Sequence, residues 1–246
     1  MTENLSLDLD AKKESIRTNY FEITERIAKA AQQSGRTAED ITFLAATKTV
    51  PAALINYAIS LGLKAIGENK VQELLSKYEE YNLSACDLHL IGHLQTNKVK
   101  QVVGKVCMIQ SVDSVKLAKE ISKQSFALGV ETDVLLEVNI GGEENKTGAA
   151  LEILPELLEQ TAALPSVHVR GLMTIPPICD KKTDVLKFFD KMHNLFVDIS
   201  SKKLDNVSMD YLSMGMSGDY EEAILSGANM VRIGSLLFGV RDYSKK

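Results

Sequence analysis

A lysine at the end of a strand-like stretch is the residue whose chemistry stands out first. Residues 41–48 are rich in strand-forming side chains and carry one charge, on Lys48. A neutral lysine amine attacks aldehydes and forms imines. Because side chains alternate between the two faces of a strand, Lys48 shares a face with Leu44 and Ala46, and the small Ala46 leaves room for a flat ligand. The alternative is a solvated lysine that ends the strand.

A second basic residue, Arg232, lies inside the apolar stretch 230–234 near the other end of the sequence. A buried arginine requires acceptors for its N–H groups. The acceptor could be a carboxylate on another strand, such as Glu68 or Glu137. It could also be an atom of a ligand at the mouth of a barrel.

Small residues at the ends of the last two predicted strands could bind an anion. Ser217 follows the seventh predicted strand, and Gly234 and Ser235 stand at the end of the eighth. Backbone N–H groups of small residues approach anions closely, and those at a helix start lack partners. An ordinary turn at Gly234 is the alternative. Together with Lys48 and Arg232, these residues could hold a flat phosphorylated aldehyde through an imine, a ring nitrogen and a phosphate.

Strand-like and helical stretches alternate along the chain. The predicted strands cover residues 41–48, 64–69, 87–92, 107–112, 132–140, 167–174, 211–216 and 230–234. The predicted helices between them cover residues 51–61, 70–80, 96–103, 114–128, 149–163, 183–203 and 219–226. A further helix is predicted from about Asp10 to Ser34, where one apolar stripe recurs every three or four residues: Ile16, Tyr20, Ile23 and Ile27.

This alternation indicates an α/β fold, a single (β/α)8 TIM-like barrel with an extra N-terminal helix. In a closed barrel the eighth strand lies beside the first, so Lys48 and Arg232 become neighbours. An open doubly wound sheet is the alternative, but it usually has a Gly-rich first turn, which residues 49–51 lack. We expect one domain over residues 1–246, with a disordered N-terminus at residues 1–9.

Composition excludes several classes of function. The 246 residues are 45% hydrophobic and 25% charged, which is ordinary for a globular protein, and the net charge of −5 argues against nucleic-acid binding. Three cysteines without a C-x-x-C pair indicate reduced thiols and a cytoplasmic protein. The four histidines show no metal-ligand spacing. No apolar run is long enough to span a membrane, and the N-terminus is unlike a secretory signal.

A series of motifs in a fixed order carries a family resemblance. They lie at residues 45–48, 67–73, 89–98, 137–140, 146–148, 170–175, 214–219, 232–235 and 238–239. With these motifs the sequence resembles the pyridoxal 5′-phosphate (PLP) homeostasis proteins of the YggS/PROSC type, which share the barrel of the alanine racemase fold (fold type III of PLP proteins). The resemblance covers nearly the whole chain. One departure is Leu88, where the family often has a large aromatic residue.

The resemblance implies a set of cofactor-binding residues and no metal. It implies that Lys48 holds PLP as a covalent imine and that Arg232 faces the pyridine nitrogen. The remaining residues hold the phosphate or line the cofactor: Ser217, Gly234 and Ser235 for the phosphate, and Asn69 and Met173 for the lining. His93 and Lys146 are expected near the barrel mouth with open roles, whereas His89 is interpreted as a structural histidine.

Three functions are compatible with these residues. The resemblance favours a non-catalytic protein that buffers and delivers PLP, so maintaining vitamin B6 and amino-acid homeostasis, with PLP-dependent apoenzymes as possible recipients and a monomer as the expected state. The first alternative is a PLP-dependent amino-acid racemase or decarboxylase. Racemases of this fold carry a further C-terminal domain with a tyrosine base, whereas this chain ends seven residues after Gly239, and Tyr243 is not expected to be catalytic. The second alternative, a cofactor-free imine-forming aldolase, lacks a proton-transfer partner for Lys48.

Overall fold

The computed structural model describes residues 2–143, 145–179 and 181–239. Over this part of the chain, eight parallel strands form a closed barrel in sequence order, with β1 paired to both β2 and β8. The strands are β1 Thr42–Ala46, β2 Ala65–Glu68, β3 Asp87–Leu90, β4 Met108–Val112, β5 Thr132–Val138, β6 Val167–Thr174, β7 Val207–Ser213 and β8 Met230–Ile233. The predicted barrel is confirmed.

Helices cover the outside of the barrel. The α-helices are α1 Thr2–Gln33, α2 Ala52–Ser60, α3 Val71–Lys77, α4 Val115–Leu128, α5 Leu154–Ala162, α6 Lys182–Ser201, α7 Tyr220–Leu225 and α8 Ser235–Phe238. The 3-10 helices are Ala38–Asp40, Tyr78–Glu80, Leu83–Ala85 and Thr96–Gln101.

The N-terminal helix α1 begins at Thr2, whereas the sequence predicted helix from about Asp10 and a disordered segment over residues 1–9. The predicted apolar stripe faces inward, with these residues buried or half-buried: Ile16, Tyr20, Ile23 and Ile27. Helix α1 packs against α2, α7 and α8. It therefore covers the side of the barrel on which the first and last strands meet.

Other elements also differ from the sequence prediction. The predicted helix 96–103 is the 3-10 helix Thr96–Gln101. Strand β7 begins at Val207 rather than at residue 211, and its first residues are only partly buried. Because half-exposed strand residues lack a continuous apolar pattern, the start of β7 gave little signal in the sequence.

The predicted first strand extended to Lys48, but β1 ends at Ala46. The backbone turns there: Val50 N donates to Thr47 O at 3.0 Å, and Thr49 has a φ of 66°. A non-glycine residue in this left-handed region cannot continue a strand. Lys48 therefore stands in the β1–α2 connection, just beyond the strand.

The apolar residues form two layers. The larger core lies between the strands and the helices, and smaller clusters fill the barrel interior. A bulge at Gly171 in β6, where φ is 146°, changes the side-chain alternation so that Met173 joins the interior. A Cβ atom at Gly171 would lie 1.9 Å from Tyr211 O, so the bulge requires glycine.

Candidate ligand-binding site at the barrel mouth

The closure of the barrel brings the two basic residues of the sequence analysis to adjacent strands. Leu44 of β1 is in register with Arg232 of β8. Lys48 follows β1 at the carboxyl end and is half-buried. Chemistry in parallel barrels is located at these strand ends, so the position of Lys48 at the mouth agrees with the sequence prediction.

Arg232 is buried inside the barrel, with 4% of its surface exposed. Its Nη1 donates to Ser213 Oγ at 2.7 Å and its Nη2 donates to Thr174 O at 2.8 Å. Among the described residues, no carboxylate pairs with Arg232 within 4.0 Å. The predicted alternatives Glu68 and Glu137 are therefore not its hydrogen-bond partners.

The hydrogen bonds from Arg232 to two neutral oxygens only partly offset the free-energy cost of burying its charge. Burial lowers the pKa of Arg232 to about 10, while the charges of Glu137 and Asp219 act in the opposite direction. Arg232 thus keeps its proton at neutral pH. Each Nη carries two N–H groups, and one bond to Ser213 or Thr174 leaves a second N–H on each for a ligand.

A chain of hydrogen bonds leads from Arg232 across the barrel interior. Ser213 Oγ donates to Gln110 Oε1 at 2.7 Å, and Gln110 Nε2 donates to His89 Nδ1 at 2.9 Å. All these side chains are buried. Burial lowers the pKa of His89 to about 4, so Nδ1 is an acceptor at neutral pH. This arrangement supports the structural interpretation of His89.

The ends of β7, β8 and β1 meet beside Lys48. Ser217 Oγ accepts from Gly234 N at 3.3 Å and from Leu236 N at 3.4 Å. A Cβ atom at Gly234 would lie 2.9 Å from Ala46 O, so glycine permits the close approach of β8 to β1. Ser235 is exposed at the start of α8. The predicted anion-binding residues are thus close together, and Gly234 lies directly against the strand that precedes Lys48.

The two predicted lining residues differ in position. Asn69 follows β2 and is half-buried, and its Oδ1 is buried without a donor among the described residues. Met173 is fully buried in the barrel interior with Met108 and Leu135. Asn69 can therefore accept a hydrogen bond from a ligand, whereas Met173 contributes to the apolar packing within the barrel.

Comparisons with known proteins identify the family. The family model of the alanine racemase N-terminal domain matches residues 19–242. The pyridoxal phosphate homeostasis protein of Aquifex aeolicus (strain VF5) is 48% identical over 221 residues, which are 90% of this chain and 96% of that protein. The chain belongs to the pyridoxal phosphate homeostasis protein family. The resemblance inferred from the motifs is confirmed.

Solved structures agree with this family. PipY of Synechococcus elongatus PCC7942, a structure with PLP bound, matches with a TM-score of 0.77 and 31% identity over 88% of this chain and 100% of that chain. Alanine racemase of Corynebacterium glutamicum matches with a TM-score of 0.69 at 12% identity, over 95% of this chain and 62% of the racemase. The racemase shares the fold of this family member; at that identity the match shows the fold alone.

Sequence reasoning missed the polar partners inside the barrel of this family member. Gln110 and Ser213 are fully buried, and each lies in a strand of the barrel. The sequence does contain a signal that could have found them. A polar residue at an inward-facing position of a buried strand requires a hydrogen-bond partner. Glu137 was considered only as a partner of Arg232.

Glu137 is a second buried acceptor at the carboxyl end of β5. Its Oε1 accepts from Thr147 Oγ1 at 2.5 Å, and its Oε2 is buried without a donor among the described residues. Burial raises the pKa of Glu137, although the bond from Thr147 and the charge of Arg232 oppose this shift. Glu137 is therefore easier to protonate than a solvated glutamate.

Two further mouth residues are paired. His93 is half-exposed, with its Nδ1 3.5 Å from Asp113 Oδ2. Lys146 Nζ lies 2.5 Å from Glu143 Oε2 and donates to Pro176 O at 3.3 Å. Tyr243 lies outside the described residues. Within those residues no cluster of His, Cys, Asp and Glu could hold a metal ion, and no helix is long and apolar enough to cross a membrane.

The buried His89 gives a pH-dependent stability that can be measured. Its native pKa of about 4 lies below the value of about 6.5 for an unfolded histidine, so the unfolded chain binds the proton more readily between these values. The free energy of unfolding should therefore decrease as the pH falls through this window, with His89 contributing about 2 kcal/mol of loss between pH 7 and pH 5. His89→Gln, which can still accept from Gln110, should show a smaller decrease in urea unfolding at these two pH values. Equal decreases in both proteins would contradict the assignment.

Proposed function

We propose that this protein binds PLP at the barrel mouth and acts as a carrier that buffers and delivers it, rather than as an enzyme. The proposal rests on one observation. Lys48, the buried Arg232 and Gly234 lie in the same region, where β8 pairs with β1. Relatives named pyridoxal phosphate homeostasis proteins, and PipY with PLP bound, support the choice of ligand.

The residues present suit each part of PLP. The amine of Lys48 would condense with the aldehyde, forming a C=N bond with loss of water. Arg232 retains an N–H on each Nη for the ring nitrogen. The amides of Gly234 and Leu236, which now donate to Ser217 Oγ, would donate to phosphate oxygens. These contacts support the cofactor-binding set: Lys48, Asn69, Ser217, Arg232, Gly234 and Ser235, with Met173 beneath it.

The proposal of a carrier follows from what turnover would require. Bound PLP supplies an electron sink, but amino-acid chemistry also needs a base positioned at the reacting carbon. A substrate amine would displace Lys48 from the imine, so Lys48 supplies at most one base, and Lys146 is paired with Glu143. The alternative, an amino-acid racemase or decarboxylase, has His93 as a candidate base, and the pairing of His93 with Asp113 is the observation in its favour. Recipient apoenzymes, a monomeric state and a cytoplasmic location stay predictions.

Lys48→Ala should abolish the covalent attachment of PLP. Borohydride reduces an imine to a stable secondary amine, so the wild-type protein should carry a trapped adduct on Lys48 after incubation with PLP and reduction. Peptide mass spectrometry locates the adduct. Lys146→Ala is the matched control and should keep it. A trapped adduct on Lys146 of the wild-type protein, with none on Lys48, would show that the assignment is wrong.

Gly234→Val should weaken PLP binding by about tenfold or more, which corresponds to about 1.4 kcal/mol. The added side chain would collide with Ala46 O and displace the amides beside Ser217. Pyridoxal, which lacks the phosphate, serves as the control ligand, and its affinity should change much less. Titration followed by absorbance measures both. An unchanged preference for PLP over pyridoxal in a folded variant would place the phosphate elsewhere.

The PLP-loaded protein should not turn over common amino acids efficiently. Exchange of the Cα proton of alanine and serine in heavy water, followed by NMR, should be far slower than about 1 per second, a modest rate for an enzyme. Transfer of PLP to an apoenzyme should proceed under the same conditions. Rapid exchange that is lost in His93→Asn would favour the racemase alternative over the carrier.

A further inference from the structure

The segment that carries Lys48 is held from the face of β1 opposite to the ligand. Residues 47–50 connect β1 to α2. The side chain of Thr47 lies on the outer side of the barrel, where its Oγ1 bonds Glu68 Oε1. Thr49 has a φ of 66°, which costs a non-glycine residue free energy and needs surrounding contacts to persist. Those contacts come from β2, α3 and the segment after α3.

Glu68 is the centre of this arrangement. It lies on the outer face of β2, and none of its surface is exposed. Its Oε1 accepts from three donors: Thr47 Oγ1 at 2.8 Å, Lys77 Nζ at 2.7 Å and Tyr81 OH at 2.6 Å. A buried carboxylate requires such donors because desolvation opposes its charge.

Lys77 ties this carboxylate to both ends of the connection. Its Nζ donates to Thr47 O at 3.2 Å and to Val50 O at 3.1 Å. The same Nζ lies 2.8 Å from Glu73 Oε1, which in turn accepts from Thr49 N. The backbone on each side of Lys48 is thus bonded to one ion network centred on the buried Glu68.

We propose that this network, formed by Glu68, Glu73, Lys77 and Tyr81, is a positioning device that fixes the backbone of residues 47–50 and so places the amine of Lys48 for reaction with an aldehyde. The inference rests on the proposed function. Its residues do not touch the ligand. They act through Lys48, because reaction rates fall steeply when a nucleophile is displaced by about 1 Å.

A purely stabilising role explains the network less well. Glu68 Oε2 is buried without a donor among the described residues, which costs free energy. Buried ion pairs are often replaceable by apolar side chains without loss of stability. The bonds of this network converge on three residues near Lys48, which are Thr47, Thr49 and Val50. The position that the network imposes on this segment accounts for the cost of burying Glu68.

The test separates imine formation from binding. Tyr81→Phe removes one donor to Glu68. The double variant Glu68→Met with Lys77→Met removes the buried carboxylate and its lysine together, while the partly exposed Glu73 keeps its bond from Thr49 N. Tyr78→Phe and Lys70→Met are the matched controls. Two ligands are compared: PLP, and pyridoxine 5′-phosphate, whose alcohol cannot form an imine. Stopped-flow absorbance follows the imine, and fluorescence titration follows the affinity for pyridoxine 5′-phosphate.

The double variant should form the imine at least about tenfold more slowly, with a smaller effect for Tyr81→Phe, as expected for loss of positioning. Its affinity for pyridoxine 5′-phosphate should change by less than about twofold, a free-energy difference of about 0.4 kcal/mol. The controls should match the wild-type protein. Amide exchange in the peptide containing residues 47–50 should accelerate in the double variant without any ligand present.

Several outcomes would overturn the inference. Wild-type imine rates in the double variant would do so, as would an equal loss of affinity for both ligands, which would indicate a general structural role. If the double variant does not fold, Tyr81→Phe tests the inference instead, by the rate of imine formation and the affinity for pyridoxine 5′-phosphate. If the wild-type protein forms no imine on Lys48, the proposed function fails as well; faster amide exchange would then leave the backbone contacts as a structural feature only.

Discussion

The site depends on the pairing of β1 with β8. Parallel strands expose their carboxyl ends on one side, and closure of the barrel puts the first and last strands in register at Leu44 and Arg232. Without that register, Lys48 and Gly234 would have no reason to be neighbours, since they lie near opposite ends of the sequence. Helix α1 covers the same seam, packing against α2, α7 and α8. The N-terminal helix therefore supports the part of the barrel that forms the mouth.

Two buried charges flank Lys48, and the fold stabilises them differently. Inside the barrel, Arg232 is bonded to neutral oxygens, and the chain continues through Ser213 and Gln110 to a neutral histidine. Outside β1, the carboxylate of Glu68 meets a lysine and a tyrosine. Inside the barrel, Arg232 keeps N–H groups that can donate hydrogen bonds to a ligand. The outer network bonds the backbone of residues 47–50. Under the two proposals, the interior network would bind the ligand and the outer network would position Lys48.

The fold was predictable because apolar alternation and turn residues are local signals. The strand parity of Leu44 and Ala46 followed from the sequence, and so did the clustering of Gly234 with Ser217. Hydrogen-bond partners were not predictable. Arg232 was expected to bond either a carboxylate or a ligand, yet it bonds Ser213 and the carbonyl of Thr174, because partner choice depends on distances across the barrel.

The hydrogen-bond partners in the network around Glu68 were not predictable from the sequence either. Glu68 and Glu73 belong to a motif recognised in the sequence, but nothing local indicates that Lys77 joins them to the carbonyls of residues 47 and 50. The start of α1 and the start of β7 were missed for a related reason. The first residues of β7 are only partly buried, and the N-terminal segment of α1 is largely polar, so neither start has a continuous apolar pattern in the sequence.

The charge state of Arg232 bears on why such a site would hold an aldehyde cofactor without using it. An arginine that remains protonated can only donate, so a ring nitrogen facing it must accept and stay unprotonated. An unprotonated pyridine withdraws electrons poorly, which reduces the ability of the cofactor to stabilise charge at a reacting carbon. Imine formation and release do not need that ability. If PLP binds as proposed, the buried arginine would suit storage and transfer, since its neutral partners Ser213 and Thr174 leave its charge available to the ligand.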